Sequence, residues 1–206
     1  MYLSRLVLNL RHSFVRRDLA NPYELHSTLY QAFAEPRSDR VLWRLEANRP
    51  VLEPVVLVQS HGCPDWRLVE TRDGYAGYFL RPPETKPYML PEWVTTGQVL
   101  RFRLEANPTV TREGRRHGLA GVEEQLDWLN YQATKSGFTV LGATVSKAEY
   151  RRFVKRKSGR EIVLLAVRYD GYLRVSDPSL FYGAIQKGLG HAKALGLGML
   201  SIAPVK

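Results

Sequence analysis

An α+β fold of two tandem βαββαβ units is what this 206-residue sequence predicts, on three observations. Short segments alternate apolar and polar residues at period two and are bounded by turn residues, which marks strands. Two segments open on a capping residue followed by proline, Asn21-Pro22 and Asp177-Pro178, which marks helix starts. Taken in order, each half reads strand, helix, strand, strand, a helix or loop, then strand, with an extra hairpin in the second half.

The first strand runs from Tyr2 to Leu10, with Leu6, Leu8 and Leu10 on one face. RHSFVRRDLA, residues 11–20, reads as a turn-rich basic segment. A helix follows from Asn21, with Pro22 at its first position and Glu24 three residues after the cap, and its core stripe is Leu25, Leu29, Ala32 and Phe33. Val41 to Ala47 and Pro54 to Ser60 are strands joined by an Asn48-Arg49-Pro50 turn. Gly62 to Gly97 is rich in proline and aromatic residues and carries no firm pattern.

Gln98 to Pro108 alternates Leu100, Phe102 and Leu104 against Arg101, Arg103 and Glu105, as a half-buried strand does. TVTREGRRHG, from Thr109 to Gly118, is polar and turn-forming and supplies the expected boundary, with one domain over residues 1–108 and the other over 115–206. A helix then presents Val122, Leu126 and Leu129 inward and stops at Gly137. FTVLGATVS is a strand, AEYRRFVK and EIVLLAVRY flank RKSGR as a hairpin or long basic loop, and GYLRVSD adds another strand. A helix capped by Asp177 and a last strand, MLSIA, close the chain. This order suggests two tandem ferredoxin-like (βαββαβ) domains, whose sheets leave one face free.

Charge points to the partner. Thirty Lys and Arg against 20 Asp and Glu give +10 and a pI near 9.9, and such a surplus attracts polyanions. A nucleic acid is the leading partner; a basic protein with no nucleic-acid role and a membrane-surface protein are the alternatives. No apolar run approaches the ~20 residues that span a bilayer, and the start lacks a cleavable leader pattern, so the expected location is cytoplasmic. The single cysteine, Cys63, excludes an internal disulfide framework and a thiolate metal cluster.

Four places could carry chemistry. Gly188 to Gly198, GLGHAKALGLG, has glycines that could let backbone approach phosphate, but it follows a helix and leads into a strand, the reverse of a dinucleotide loop. His191 and Lys193 could lie along an RNA backbone there, or the glycines could serve close packing alone. Arg151 to Arg160 holds six cations, Arg151, Arg152, Lys155, Arg156, Lys157 and Arg160, with Tyr150 and Phe153 between them. That mixture suits phosphate contact and base stacking, or a charged edge hairpin. Arg11, Arg16 and Arg17 form a second basic group. On the first helix Tyr23, His26 and Tyr30 share a polar-tipped stripe, a place for a site or for a structural histidine.

RNA brings its own nucleophile, so one histidine as acid or base, helped by tyrosine or lysine and by a cation for the crowded phosphate, is enough. No acidic cluster argues for metal-dependent cleavage, no zinc set surrounds His61 and Cys63, and no nucleophile elbow is present. Neither a metal nor an organic cofactor is expected.

MYLSRLVL, RDLANPYELHSTLYQAF, LWRLE, VLVQS, LRFRLEANPT and the run from DPSLFYGAIQKG through LGHAKALGLGMLSIAP resemble, over nearly the whole chain, the CasE-type CRISPR-associated endoribonucleases. The resemblance implies binding of a repeat stem-loop in precursor CRISPR RNA and metal-independent cleavage at the 3′ base of the stem. Products would carry a 2′,3′-cyclic phosphate and a 5′-hydroxyl, and the enzyme would join a Cascade-type complex. It also implies His26 as the catalytic histidine with Tyr23 as its partner. Lys155, Arg156 and Lys157 would hold the stem, Lys157 serving the scissile phosphate. A non-cleaving RNA-binding scaffold subunit is the rival reading.

Overall fold

The computed structural model describes residues 1–33, 40–46, 53–88, 94–155 and 159–205, which form two compact units. Unit 1 comprises Met1–Met89, Phe153–Arg160 and Ala194–Gly196; unit 2 comprises Leu90–Arg152, Glu161–Lys193 and Leu197–Lys206.

In unit 1, β1 (Tyr2–Val7), β2 (Val41–Glu46), β3 (Val55–Ser60) and β4 (Glu84–Pro87) lie in the order β2-β3-β1-β4, with every pairing antiparallel. That is the 4-1-3-2 order of a βαββαβ unit read from one side. Leu6, Val41, Trp43, Val56 and Val58 pack with Leu25, Leu29, Ala32 and Phe33, the helical stripe read from the sequence. The basic segment 11–20 is not a turn: it contains α1 (Ser13–Ala20). Its cap is His12, whose Nδ1 accepts from the Phe14 N–H at 3.2 Å, a residue type outside the usual caps. α2 (Pro22–Leu29) starts as expected, the Asn21 side chain accepting from the Tyr23 N–H and Pro22 taking the first turn. In the unassigned stretch the chain forms a single turn, α3 (Arg67–Glu70), and the edge strand β4.

In unit 2, β5 (Val99–Ala106), β8 (Phe138–Lys155), β9 (Arg160–Val175) and β10 (Leu200–Pro204) are ordered β10-β5-β9-β8, again 4-1-3-2. The strand expected to end the first domain therefore opens the second, and residues 109–114 fall inside unit 2. Alternation identifies a strand; it does not say which strand it will pair with. β6 (Thr109–Arg112) and β7 (Arg115–Gly118) form a hairpin whose turn, Glu113 and Gly114, has φ of 51° and 72°. Positive φ at both central residues matches the right-handed twist of the flanking strands.

α4 (Val122–Lys135) buries Leu129 as expected and leaves Leu126 half-buried, but its inward face is rotated away from Val122. Gln125, Trp128, Leu129 and Ala133 are buried, whereas Val122 is 56% exposed. Gln125 is held inside by its Nε2, which donates to the Leu119 and Ala120 carbonyls, and its backbone carbonyl accepts from the Tyr169 hydroxyl, while its Oε1 is buried without a partner among the described residues. Trp128 stacks on Tyr169 with centroids 6.2 Å apart. The hairpin strands and GYLRVSD merge into the long β8 and β9. α5 (Pro178–Lys187) is capped by Asp177 Oδ1, which accepts from the N–H groups of Ser179 and Leu180. No described helix is long and apolar enough to cross a membrane.

Candidate active site

α2 carries Tyr23 and His26 three residues apart and therefore on one face, both half-buried. The helix is held by a buried acid. Asp18, on α1, is fully buried and accepts from the Tyr78 hydroxyl at 2.8 Å and from Arg17 at 2.6 and 2.8 Å. Arg17 also donates to the Tyr75 hydroxyl at 2.6 Å, approaches Glu24 on α2 at 3.8 Å, and lies 4.7 Å over the Phe14 ring. Its guanidinium thus ties α1 to α2. Arg16 is exposed and donates to the carbonyls of Leu10 and Arg11.

The His26 ring sits edge-on to Tyr30, centroids 4.7 Å apart, and its Nδ1 is buried without a hydrogen-bond partner among the described residues. Burial pushes the imidazole down to about 4, because leaving water penalises the charged form. His26 is therefore neutral at pH 7. A linked stability effect follows. The folded value lies below the unfolded one near 6.5, so the unfolded state binds the extra proton first. Stability is retained above pH 6.5 and falls as pH drops from there towards 4. Urea midpoints measured between pH 7.5 and 4 should decline less steeply in His26→Gln than in the wild type; equal slopes would remove the buried imidazole as a cause.

Around Tyr23 stands the root of the basic hairpin. Phe153 meets the Tyr23 ring edge to face at 5.6 Å, and the Lys155 ammonium lies 5.9 Å from its centroid, at the outer limit of a cation–π contact. Lys155 and Arg160 are exposed at the two strand ends. Arg156 and Lys157 lie outside the described residues. Tyr23, His26 and Lys155 are thus gathered in unit 1.

The other candidates belong to unit 2 and are engaged differently. Arg151 is bonded to Glu105 and Glu149, and Arg168 also reaches Glu105 at 3.3 Å. Glu105, expected on the solvent face of its strand, is 2% exposed because these two guanidinium groups neutralise it there. Arg152 is exposed. His191 is exposed too; partial desolvation first, then the positive charges of Arg116 and Lys193, hold it below its usual value. Arg116, on the β6–β7 hairpin, was hidden from a sequence reading that took residues 109–118 as a boundary. The signal was there: Arg112, Arg115, Arg116 and His117 crowd one short hairpin.

The glycine stretch serves backbone geometry. Gly188, Gly190, Gly196 and Gly198 all have φ between 70° and 86°. A Cβ on Gly196 would lie 2.6 Å from the Trp43 ring, and one on Gly198 would lie 2.5 Å from the Leu189 carbonyl oxygen. Among the described residues no three of His, Cys, Asp and Glu gather as a metal-ligand set.

Comparison with known proteins places this geometry. The family model described as CRISPR associated protein matches residues 1–204. The CRISPR-associated endoribonuclease Cse3 of Thermus thermophilus is 39% identical, over 99% of this chain and 100% of its own length. The Cascade subunit CasE of Escherichia coli is 27% identical over the whole of both chains. The solved structure of Cse3 bound to 19 nt RNA superposes with a TM-score of 0.87 at 37% identity, covering 99% of this chain and 100% of that one. A match of this extent in sequence and in fold leaves one assignment: the chain belongs to the CRISPR-associated protein family, among its CasE-type members.

Proposed function

We propose that this chain is an endoribonuclease that binds the stem-loop of CRISPR repeat RNA, cuts at the 3′ base of the stem without a metal, and retains its product within a Cascade-type complex. Kinship with a named endoribonuclease and with an RNA-bound homologue supports the RNA substrate, and kinship with a Cascade subunit supports the assembly. The observation that carries the mechanism is the desolvated imidazole of His26, neutral and without a partner at Nδ1 among the described residues, on the helix face it shares with Tyr23, whose ring has Lys155 beside it.

In the reaction a 2′-hydroxyl gives its proton to His26 as the O2′–P bond forms. The P–O5′ bond breaks, and the departing 5′-oxygen takes a proton from Tyr23 or a lysine ammonium. A 2′,3′-cyclic phosphate and a 5′-hydroxyl result. Lys155, and Lys157 on the resemblance of the sequence, offset the charge that builds on the phosphate. Arg152, Arg156 and Arg160 contribute cations to the backbone contact. In unit 2, Lys193 and Arg116 offer further cations suited to phosphate, with the uncharged imidazole of His191 near both.

The test is direct. Purified protein and repeat RNA incubated in EDTA should give cyclic-phosphate ends, and a 2′-deoxy substitution just upstream of the cut should abolish the reaction. Cleavage that survives the deoxy substitution would mean that water or a metal-bound hydroxide attacks instead. Saturated binding with no cutting would favour the scaffold reading.

A further inference from the structure

We infer that Asn21 is a positioning residue for cleavage, because its side-chain amide clamps the root of the basic hairpin to the helix that carries Tyr23 and His26. The inference rests on the endoribonuclease reading. Both ends of that amide are used. Oδ1 accepts from the Tyr23 N–H at 3.1 Å, and Nδ2 donates to the Val154 carbonyl at 3.0 Å. Reversing the amide would break both bonds, so its orientation is set.

The backbone N–H of Asn21 is spent as well, on the carbonyls of Arg17 and Asp18 at the end of α1. One residue therefore ends α1, starts α2 and holds the last residues of β8. What it holds matters. Val154 stands between Phe153, whose ring packs on Tyr23, and Lys155, whose ammonium lies beside the same ring. A shift of this short segment would move an aromatic wall and a cation relative to Tyr23 and His26 together. The bond to Val154 is exposed, so water can replace it energetically; water cannot hold the strand at a defined distance. Its value lies in geometry more than in stability.

Asn21→Asp separates the two duties. Aspartate caps a helix about as well as asparagine, but it offers an oxygen where Nδ2 donates, and that oxygen faces the Val154 carbonyl. The variant should melt within roughly 4 °C of the wild type, the worth of one exposed hydrogen bond. Its single-turnover cleavage at saturating RNA should fall on the order of 10²-fold, as an ångström-scale misplacement does. Affinity for the uncleavable 2′-deoxy stem-loop should stay within the same order of magnitude, and hydrogen exchange across residues 150–155 should quicken. Asn21→Ala, which loses the cap too, should fall in rate and in melting temperature together.

A variant Asn21→Asp that cuts at the wild-type rate would overturn the inference, as would a rate loss matched by an equal loss of affinity. A wild-type chain that cuts nothing would sink the functional reading and this one with it. A cutting wild type matched by Asn21→Asp sinks this one alone.

Discussion

Cleavage of a repeat stem-loop by the His26→Ala variant is expected to slow by a factor of about 10² to 10⁴, the usual worth of a positioned general acid or base. Affinity for the RNA should hardly change, because a neutral imidazole contributes no cation to the phosphate contacts that dominate binding. The readout is single-turnover cleavage at saturating protein, beside the dissociation constant for 2′-deoxy RNA. The fold should survive, since one imidazole nitrogen is buried without a hydrogen-bond partner among the described residues. Full activity in the variant would take His26 out of the mechanism. An equal loss of binding and rate would make it an RNA contact instead of a proton acceptor.

The second large effect is on the fold. Gly198→Ala should destabilise unit 2 by about 2–5 kcal/mol, combining the strain of a left-handed backbone with overpacking. The φ of Gly198 is +86°, and its added Cβ would sit 2.5 Å from the Leu189 carbonyl oxygen. It cannot simply move aside. The Gly198 N–H donates to the Glu105 carbonyl at 2.6 Å, and its own carbonyl accepts from the Leu189 N–H at 2.8 Å. Thermal melting should shift down by roughly 5–15 °C. A shift within a degree or two would show that the loop has room the geometry denies. The glycine pattern, which first suggests a nucleotide cradle, thus has close backbone packing as its physical basis.

Much was legible in the chain itself because it depends on local rules. Asn21-Pro22 and Asp177-Pro178 announce helix starts whatever surrounds them, since the cap and the fixed φ of proline act within one turn. The alternation of Leu100, Phe102 and Leu104 marks a strand for the same reason, as those side chains must leave one face together. Kinship was legible too, because combined motifs such as NPYELH and LGHAKALGLG carry far more information than composition does.

Three things were not legible, and each depends on a distant partner. The pairing of β5 with β9 and β10 is a matter of which edge is free once the sheet assembles, so the strand changed domains. α1 escaped notice because it is short, basic and capped by a histidine, and because its buried Asp18 is acceptable only with Tyr78 and Arg17 at hand. Glu105 reads as a solvent-facing charge until Arg151 and Arg168 arrive from β8 and β9.

The same division runs through the candidate site. That Tyr23 and His26 share a helix face was determined by the sequence alone, since three-residue spacing on an α-helix permits nothing else. That His26 is stripped of water, that Asn21 spends its second amide group on Val154, and that Lys155 comes to rest beside Tyr23 were decided only by the tertiary structure. Val154 and Lys155 lie more than a hundred positions from Asn21 and Tyr23, and burial depends on how the whole unit packs, so no local pattern encodes either.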